Sequence, residues 1–376
     1  AAAQDAIRVA SKNFAEGHLL AEITAQLLEA RGLPVERRMG LGGTAVAFEA
    51  LRAGELDVYP EYTGTLTRAV YNAPEMDLDE LARVLGRQGM KFHAPFGFIN
   101  NYAIAVPEEL ARQRSLTVVS DLAAHPDLRL GFSHEFLSRG DGWPSLQALY
   151  DLHQEPSGID HALAYRALAS DHLDVTDAYT TDGELSVYDL RLLEDDRELF
   201  PNYYAGLLVR RDLPAAVLDT LGALEGRIDE GTMQRLNRRV STDGESPAAV
   251  AADFLRRSGL VTGAMEAPAR RSDIGRNTLV HLQLTGLALA LACLVAVPLA
   301  LLVSRAPRLA SALQYTAGLI QTIPALALLA LLIPLLGLGQ ATAVLALFLY
   351  SLLPIVRNTL TGLASVDPLL KEVATS

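Results

Sequence analysis

Strand-like and helical stretches alternate through about the first 260 residues of the chain. Apolar residues recur at helical spacing from Leu19 to Leu28, between strand-like runs at Ile7–Ser11 and Val35–Met39. This order is the βαβ pattern of an open α/β sheet. The same reasoning predicts helical stretches at Ala45–Leu51 and Ala215–Leu260 and strands at Tyr102–Val106, Leu128–Phe132, Leu173–Thr176 and Leu207–Val209.

The strand order indicates two α/β lobes joined by two crossings, near residues 105 and 205. We therefore expect one domain over 1–261, with lobe 1 at about 1–105 and 206–261 and lobe 2 at about 106–205. A cleft between two such lobes is the default ligand site.

After a short polar linker at 262–276 the pattern changes to long uncharged runs. Asp, Glu, Lys and Arg are absent from 28 residues between Asn277 and Ser304 and from 48 between Leu309 and Val356. The first run is long enough for one membrane-spanning helix and the second for two. We predict spans near 279–303, 311–336 and 340–356, with a turn at Gly337–Gln340.

The basic residues around the spans predict the topology. Arg305 and Arg308 follow the first span and Arg357 follows the third, whereas the turn between spans two and three is uncharged. By the positive-inside rule these arginines lie in the cytoplasm, which puts residues 1–261 outside. Three arginines just before the first span oppose this assignment, but a large translocated domain weakens the rule there.

Composition supports two environments, one aqueous and one apolar. The hydrophobic set makes up 50% of residues and charged residues 20%, which excludes a disordered chain. Before Asp273 there are 27 basic and 41 acidic residues, so this part is acidic and unsuited to binding nucleic acid. The one cysteine, Cys293, excludes an intrachain disulfide and a cysteine-based zinc site. The start at Ala1–Gln4 is similar to a mature end left by a signal peptide.

Catalytic and metal motifs are absent from the sequence, so we expect no enzyme, cofactor or metal site. Instead, tyrosines stand beside turn-forming residues at Tyr59–Thr65, Asn100–Tyr102, Asp177–Gly183 and Phe200–Tyr204. Aromatic rings around a cleft hold a quaternary ammonium by cation–π attraction. Spacing alone leaves open that these are partly buried structural tyrosines.

Long ordered motifs carry a resemblance to a known family. SKNFAEGHLLAEITAQLLEARG, GLGGTAVAFEALRAGELDVYPEYTGTL, DVTDAYTTDGEL and LEDDRELFPNYYAGLLVR resemble substrate-binding proteins of osmoprotectant ABC importers, and the sequence from Ile320 to Ala374 resembles their permease subunit. The resemblance implies a two-lobed type II periplasmic-binding-protein fold followed by an all-α transmembrane segment. It also implies a trimethylammonium ligand such as glycine betaine, choline, carnitine or ergothioneine.

The resemblance assigns roles to eight residues. It implies an aromatic cage of Tyr62, Tyr102, Tyr179 and Tyr203 with Asn100 as a polar wall, and a carboxylate clamp of Lys12, Thr65 and Arg139. A zwitterion needs such π faces at its methylated end and forked donors at its carboxylate. The chain departs from the family at Trp143, where Tyr is usual, and at neutral Asn100, where Asp occurs.

The permease resemblance covers three spans and stops at Glu372–Ala374, which is similar to the start of the cytoplasmic loop that docks on an ATPase. Alone, these spans would not form a complete translocation path. We therefore expect an inner-membrane importer subunit in contact with lipid, with a separate ABC ATPase and a permease homodimer as partners. A membrane-anchored solute sensor is the alternative, although coupling-loop and proline-broken spans favour a permease; an α/β enzyme has only fold analogy behind it.

Overall fold

The computed structural model describes residues 6–200, 202–262 and 274–366. The described residues form two compact units, one of residues 6–47 and 56–262 and the other of 48–55 and 274–366. The predicted coupling-loop start at Glu372–Ala374 and most of the predicted linker lie outside the described residues.

Strands and helices alternate through residues 6–262, as the sequence pattern predicts. The strands are β1 (Ile7–Ala10), β2 (Val35–Arg38), β3 (Val58–Tyr62), β4 (Met90–His93), β5 (Tyr102–Pro107), β6 (Gly131–Ser133), β7 (Ser157–Ile159), β8 (Thr176–Tyr179), β9 (Leu190–Leu193) and β10 (Ala205–Arg210). The helices are α1 (Ala15–Ala30), α2 (Thr44–Arg52), α3 (Thr63–Thr65), α4 (Leu78–Arg87), α5 (Glu108–Arg114), α6 (His134–Ser138), α7 (Trp143–Tyr150), α8 (His161–Ala169), α9 (Ala215–Gly222), α10 (Glu230–Ser241) and α11 (Pro247–Arg257).

A five-stranded sheet has the order β2-β1-β3-β10-β4. β1 is parallel to β2 and β3, whereas β10 returns from the second half of the chain and is antiparallel to β3 and β4. The helix α1 buries Leu19, Leu20, Ile23, Leu27 and Leu28 completely, and it packs chiefly on α11. The predicted helical face is therefore confirmed.

A second strand group holds residues 102–193. β5 lies between β8 and β9, antiparallel to both, and β6 pairs in parallel with β7. The chain enters this group between β4 and β5 and leaves it between β9 and β10, and an antiparallel bridge joins Ile99 to Tyr204 where the two connections meet. The predicted lobe boundaries near 105 and 205 stay a prediction.

Three sequence predictions for this region are wrong in their limits. The strands predicted at 128–132 and 173–176 begin at Gly131 and Thr176. Directly before these strands only an isolated parallel bridge joins Leu130 to Val175, and the Arg129 guanidinium binds Asp171 and Asp174 at 2.7 Å. The helical stretch at 215–260 is three helices, since N-cap side chains start new helices after Asp229 and Ser246.

Residues 274–366 are helical: α12 (Ile274–Val303), α13 (Pro307–Thr322), α14 (Ala325–Leu336) and α15 (Gln340–Ala364). In the described residues, α12 and α15 are each long and apolar enough to span a membrane. The predicted span at 311–336 corresponds to the pair α13 and α14, which are bent by 94° and could together form one broken span. Pro324 lacks an N–H and ends α13, and the Tyr350 hydroxyl donates to the carbonyl of Ile323 at the break.

Small side chains line one face of α12. Ala288, Ala292, Ala296 and Ala300 are at most 1% exposed, and α12 packs chiefly on α15. We refer to these four residues as the alanine row. Small residues let two helix backbones approach closely in a membrane.

Candidate ligand-binding site

Strand pairing brings the predicted site residues to one region. Tyr102 at the start of β5 is the direct antiparallel partner of Tyr179 at the end of β8. Tyr62 at the end of β3 is the partner of Ala205, two residues after Tyr203. Directly opposed side chains in an antiparallel pair lie about 4.5–5.5 Å apart at Cβ, so the register itself brings the rings of Tyr102 and Tyr179 together.

Four aromatic rings surround that of Tyr102, so that five rings form one cluster. The ring centroids of Tyr102 lie 5.0 Å from those of Phe136 and Tyr179, 5.8 Å from Phe200 and 6.1 Å from Tyr203, the last in an edge-to-face arrangement. Burial raises the pKa of the phenols of Tyr102, Tyr179 and Tyr203, which therefore stay neutral. Three of the four predicted cage tyrosines thus share one cluster, which we call the aromatic cluster.

An ion pair closes one side of the aromatic cluster. The Arg139 guanidinium lies 5.6 Å from the ring centre of Tyr102 and holds Asp141 with two bonds, Nε to Oδ1 at 2.8 Å and a terminal nitrogen to Oδ2 at 2.6 Å. The Tyr203 hydroxyl also donates to Asp141 Oδ2, at 2.8 Å. Burial would raise the pKa of Asp141, but the bonds from Arg139 outweigh it and lower that pKa.

The fourth predicted cage residue, Tyr62, lies in a separate group with Lys12. Among the described residues its ring contacts Phe14, at a centroid distance of 6.3 Å, and the Lys12 ammonium lies 5.1 Å from its ring centre. Lys12 Nζ donates to Glu61 Oε1 at 2.6 Å, and both side chains are buried. The charge of Lys12 is therefore already matched inside the protein.

The carboxylate of Glu16 binds Tyr62 and also Asn100 and Thr181, which stand two residues from Tyr102 and Tyr179 in the sequence. It is buried and accepts four hydrogen bonds: from Tyr62 at 2.5 Å and Asn100 at 2.9 Å on Oε1, and from Thr181 and Asn237 at 2.6 Å each on Oε2. Burial raises its pKa, and the four donors oppose that rise. Asn100, the predicted wall residue, thus turns its amide nitrogen toward Glu16, while its Oδ1 is buried and without a hydrogen bond.

The imidazole of His161 packs against the ring of Tyr179. The His161 ring centroid lies 4.8 Å from that of Tyr179, and its Nε2 lies 2.9 Å from Asp182 and its Nδ1 3.6 Å from Asp177. Burial disfavours the imidazolium, but these carboxylates outweigh it and hold the pKa of His161 well above its usual range. Asp182 also accepts from the backbone N–H of Tyr179, at 2.8 Å.

The remaining predicted residue, Thr65, ends the short helix α3 and is buried. Its neighbour Gly64 packs against Tyr203, since a Cβ at this glycine would lie 2.5 Å from Cδ1 of that ring. Among the described residues no group of three or more His, Cys, Asp or Glu side chains is arranged to hold a metal ion. The cage and clamp assignments themselves stay predictions.

Sequence reasoning missed Glu16, Asp141, Phe136 and Phe200. Glu16 looks like an ordinary acidic residue in the first turn of a helix, and its partners lie 46 to 221 positions away. The role of Asp141 could have been predicted from the sequence, because this carboxylate stands two residues after Arg139, between Gly140 and Gly142.

Comparison with known proteins agrees with this architecture. Residues 5–257 match the family described as the substrate-binding domain of ABC-type glycine betaine transport systems. The chain is 37% identical over 282 residues to a glycine-betaine-binding protein of Pseudomonas aeruginosa, covering 68% of this chain and 89% of that protein. It is 34% identical over 263 residues, 67% of this chain, to the ergothioneine transport permease/ergothioneine binding protein EgtU of Helicobacter pylori, of which it spans only 47%.

A permease is also similar to the chain. The carnitine transport permease protein OpuCD of Listeria monocytogenes is 48% identical over 92 residues, which are 24% of this chain and 41% of that protein. Among solved structures, a glycine betaine/carnitine/choline ABC transporter protein matches with a TM-score of 0.58 and 30% identity, over 68% of this chain and 99% of that one. The expected α/β substrate-binding fold, followed by apolar helices, is therefore confirmed. The chain belongs to the family of substrate-binding domains of ABC-type glycine betaine transport systems, which are transport proteins and not enzymes.

Proposed function

We propose that the chain captures a trimethylammonium zwitterion outside the cell membrane and delivers it to a permease formed in part by its own C-terminal helices. The observation that carries this proposal is the aromatic cluster beside the Arg139–Asp141 pair. A quaternary ammonium has no N–H to donate, so π faces are its natural partners, and a guanidinium is the natural partner of its carboxylate.

The relatives support the ligand class without choosing a member of it. Their names include glycine betaine, carnitine and ergothioneine, all of which carry a trimethylammonium group and a carboxylate. The neutral amide of Asn100 beside the cage favours these zwitterions over choline, because a bare cation would gain from a carboxylate at that position.

The helices α12 to α15 support transport over sensing. The bent pair of α13 and α14, in which the Tyr350 hydroxyl satisfies a backbone carbonyl at the break, suits a packed multi-helix assembly. A single straight helix would suffice to anchor a sensor. The likeness to OpuCD points the same way. The sequence has no phosphate-binding loop, so a separate ABC ATPase would drive import, with a second copy of the chain completing the permease as a homodimer in the lipid.

Calorimetry with the full chain in detergent tests the ligand class. We expect glycine betaine to bind the wild type, and Tyr179→Ala to weaken binding about 2- to 30-fold, since one well-placed ring contributes roughly 0.5–2 kcal/mol. Tyr179→Phe is the matched control, because it keeps the ring and should keep most of the affinity. Unchanged affinity in both Tyr102→Ala and Tyr179→Ala would remove the cage assignment.

A further inference from the structure

A cavity of about 450 Å³ lies beside the aromatic cluster. Its lining comes from residues 68–74, after α3, and from residues 139–145, after α6, and includes Arg68, Asn72, Arg139, Asp141 and Ser145. Sites for small molecules commonly have volumes of about 300–1,000 Å³. The cavity is therefore large enough to hold part of a ligand whose other end contacts the rings.

Two residues that line the cavity contact the aromatic cluster. Asp141 lines the cavity and accepts the hydroxyl of Tyr203, while Arg139 lines it and lies over Tyr102. Gly64, which packs on the Tyr203 ring, precedes Arg68 by four residues in the helical segment 63–70, which continues after α3 as a π-helix, so the two residues are about one turn apart. An elongated ligand with its ammonium at the rings can thus reach the cavity with its opposite end.

The two arginines of the cavity differ in their partners. The guanidinium of Arg139 is engaged by Asp141 and by Glu135, whose Oε1 lies 3.2 Å away. Arg68 makes no hydrogen bond or ion pair among the described residues, and its Nε is buried without an acceptor. A buried donor with no partner is costly, and an incoming carboxylate would remove that cost. Arg68 is therefore the group best able to accept an external anion.

We propose that Arg68 binds the carboxylate of a trimethylammonium zwitterion longer than glycine betaine, and so sets the preferred length of the ligand. The inference rests on the proposed function. The Arg139 guanidinium, already paired with Asp141, lies next to the rings, and Arg68 is the partner that the carboxylate of a longer ligand would reach beyond it. The ligand class is a trimethylammonium carboxylate with three or more carbons between its charged groups, because one methylene holds the carboxylate of glycine betaine close to the rings.

The test is calorimetry of the full chain with glycine betaine and with γ-butyrobetaine, which differ only in the number of methylenes. We expect the wild type to bind the longer compound more tightly, and Arg68→Gln to weaken that binding about tenfold or more while changing glycine betaine binding less than about threefold. Arg68→Lys should lie between, because an ammonium keeps the charge and loses the fork. Arg83→Gln, on the exposed face of α4, removes the same charge and should change neither affinity.

Two outcomes would overturn the inference, and they are distinguishable. Equal effects of Arg68→Gln on both ligands, or no effect on either, would remove the role of Arg68 and leave the proposed function intact. If the wild type bound neither compound, both the proposed function and this inference would be refuted. The fluorescence of Trp143, the single tryptophan, verifies that each variant is folded.

Discussion

The buried carboxylate of Glu16 permits a sharp prediction about stability. Replacing Glu16 by Gln keeps its size and exchanges one acceptor oxygen for an NH2 group. Both oxygens of Glu16 accept from an Asn amide, Oε1 from Asn100 and Oε2 from Asn237. Near Oε2 the new NH2 would face Asn237, whose amide nitrogen also donates to the carbonyl of Thr181 and is held in place. Near Oε1 it would face Asn100, whose amide can turn and accept with its unpaired Oδ1, so Gln takes this second orientation.

The size of the effect follows from these contacts. In that orientation every amide keeps a partner, and the bonds from Thr181 and Asn237 weaken by about 1 kcal/mol each because their acceptor is no longer charged. We expect Glu16→Gln to lower the free energy of unfolding by about 2 kcal/mol, equivalent to a fall of roughly 4–8 °C in Tm.

Denaturant unfolding followed by the fluorescence of Trp143 measures this difference. Trp143 is buried and its ring lies 5.3 Å from that of Phe132, so it reports on the packing of the second strand group. Glu225→Gln, at an exposed loop position, is the matched control and should change stability by less than about 0.5 kcal/mol. If Glu16→Gln changed the free energy of unfolding no more than this control, the charged hydrogen bonds of Glu16 would not stabilise the fold.

Three further predictions address other parts of the chain. Lys12→Met should cost about 3–5 kcal/mol of unfolding free energy in the same denaturation assay, because its carboxylate partner stays buried without a cation; a loss below about 1 kcal/mol would contradict this. The raised pKa of His161 stabilises the fold fully below the unfolded-state pKa, and this stability is lost as the pH rises through the folded-state pKa; unfolding curves at about pH 6 and pH 9 should show that fall in wild type and less of it in His161→Gln. In a Cys293→Ala background, a membrane-impermeant thiol reagent should label a cysteine at Gln340 in intact cells and miss one at Ala306; the reverse would place the binding domain in the cytoplasm.

The sequence predicts the regular elements well where packing follows local periodicity. The face of α1 is visible in its leucine spacing, and the turn before Gln340 is visible in two glycines. The sequence predicts a proline-broken span at Pro324, but it does not predict the angle of the bend, because a proline can stay within a membrane helix or end it. The Tyr350 hydroxyl, which bonds the carbonyl of Ile323 at the break, lies 27 residues away along the chain.

The sequence predicts which residue types form the candidate site better than it predicts which of these residues contact one another. Tyr102, Tyr179 and Tyr203 come together because of how the strands pair. The family resemblance predicts this grouping, since members of one family share the same strand pairing. The pairing of Lys12 with Glu61 and the unsatisfied Arg68 depend on burial and on contacts between remote segments. No local pattern in the sequence encodes either of them.

The alanine row of α12 separates two properties that usually change together, namely how readily a helix inserts into a membrane and how tightly it then associates. Outside the row, Leu287, Leu294 and Leu301 are half or more exposed and suit contact with lipid chains. In lipid, an apolar side chain gains little by leaving its surroundings, so helix pairing depends on close fit. Exchanging Ala292 for leucine would make α12 more hydrophobic and easier to insert, yet it would push α15 away and loosen the pair.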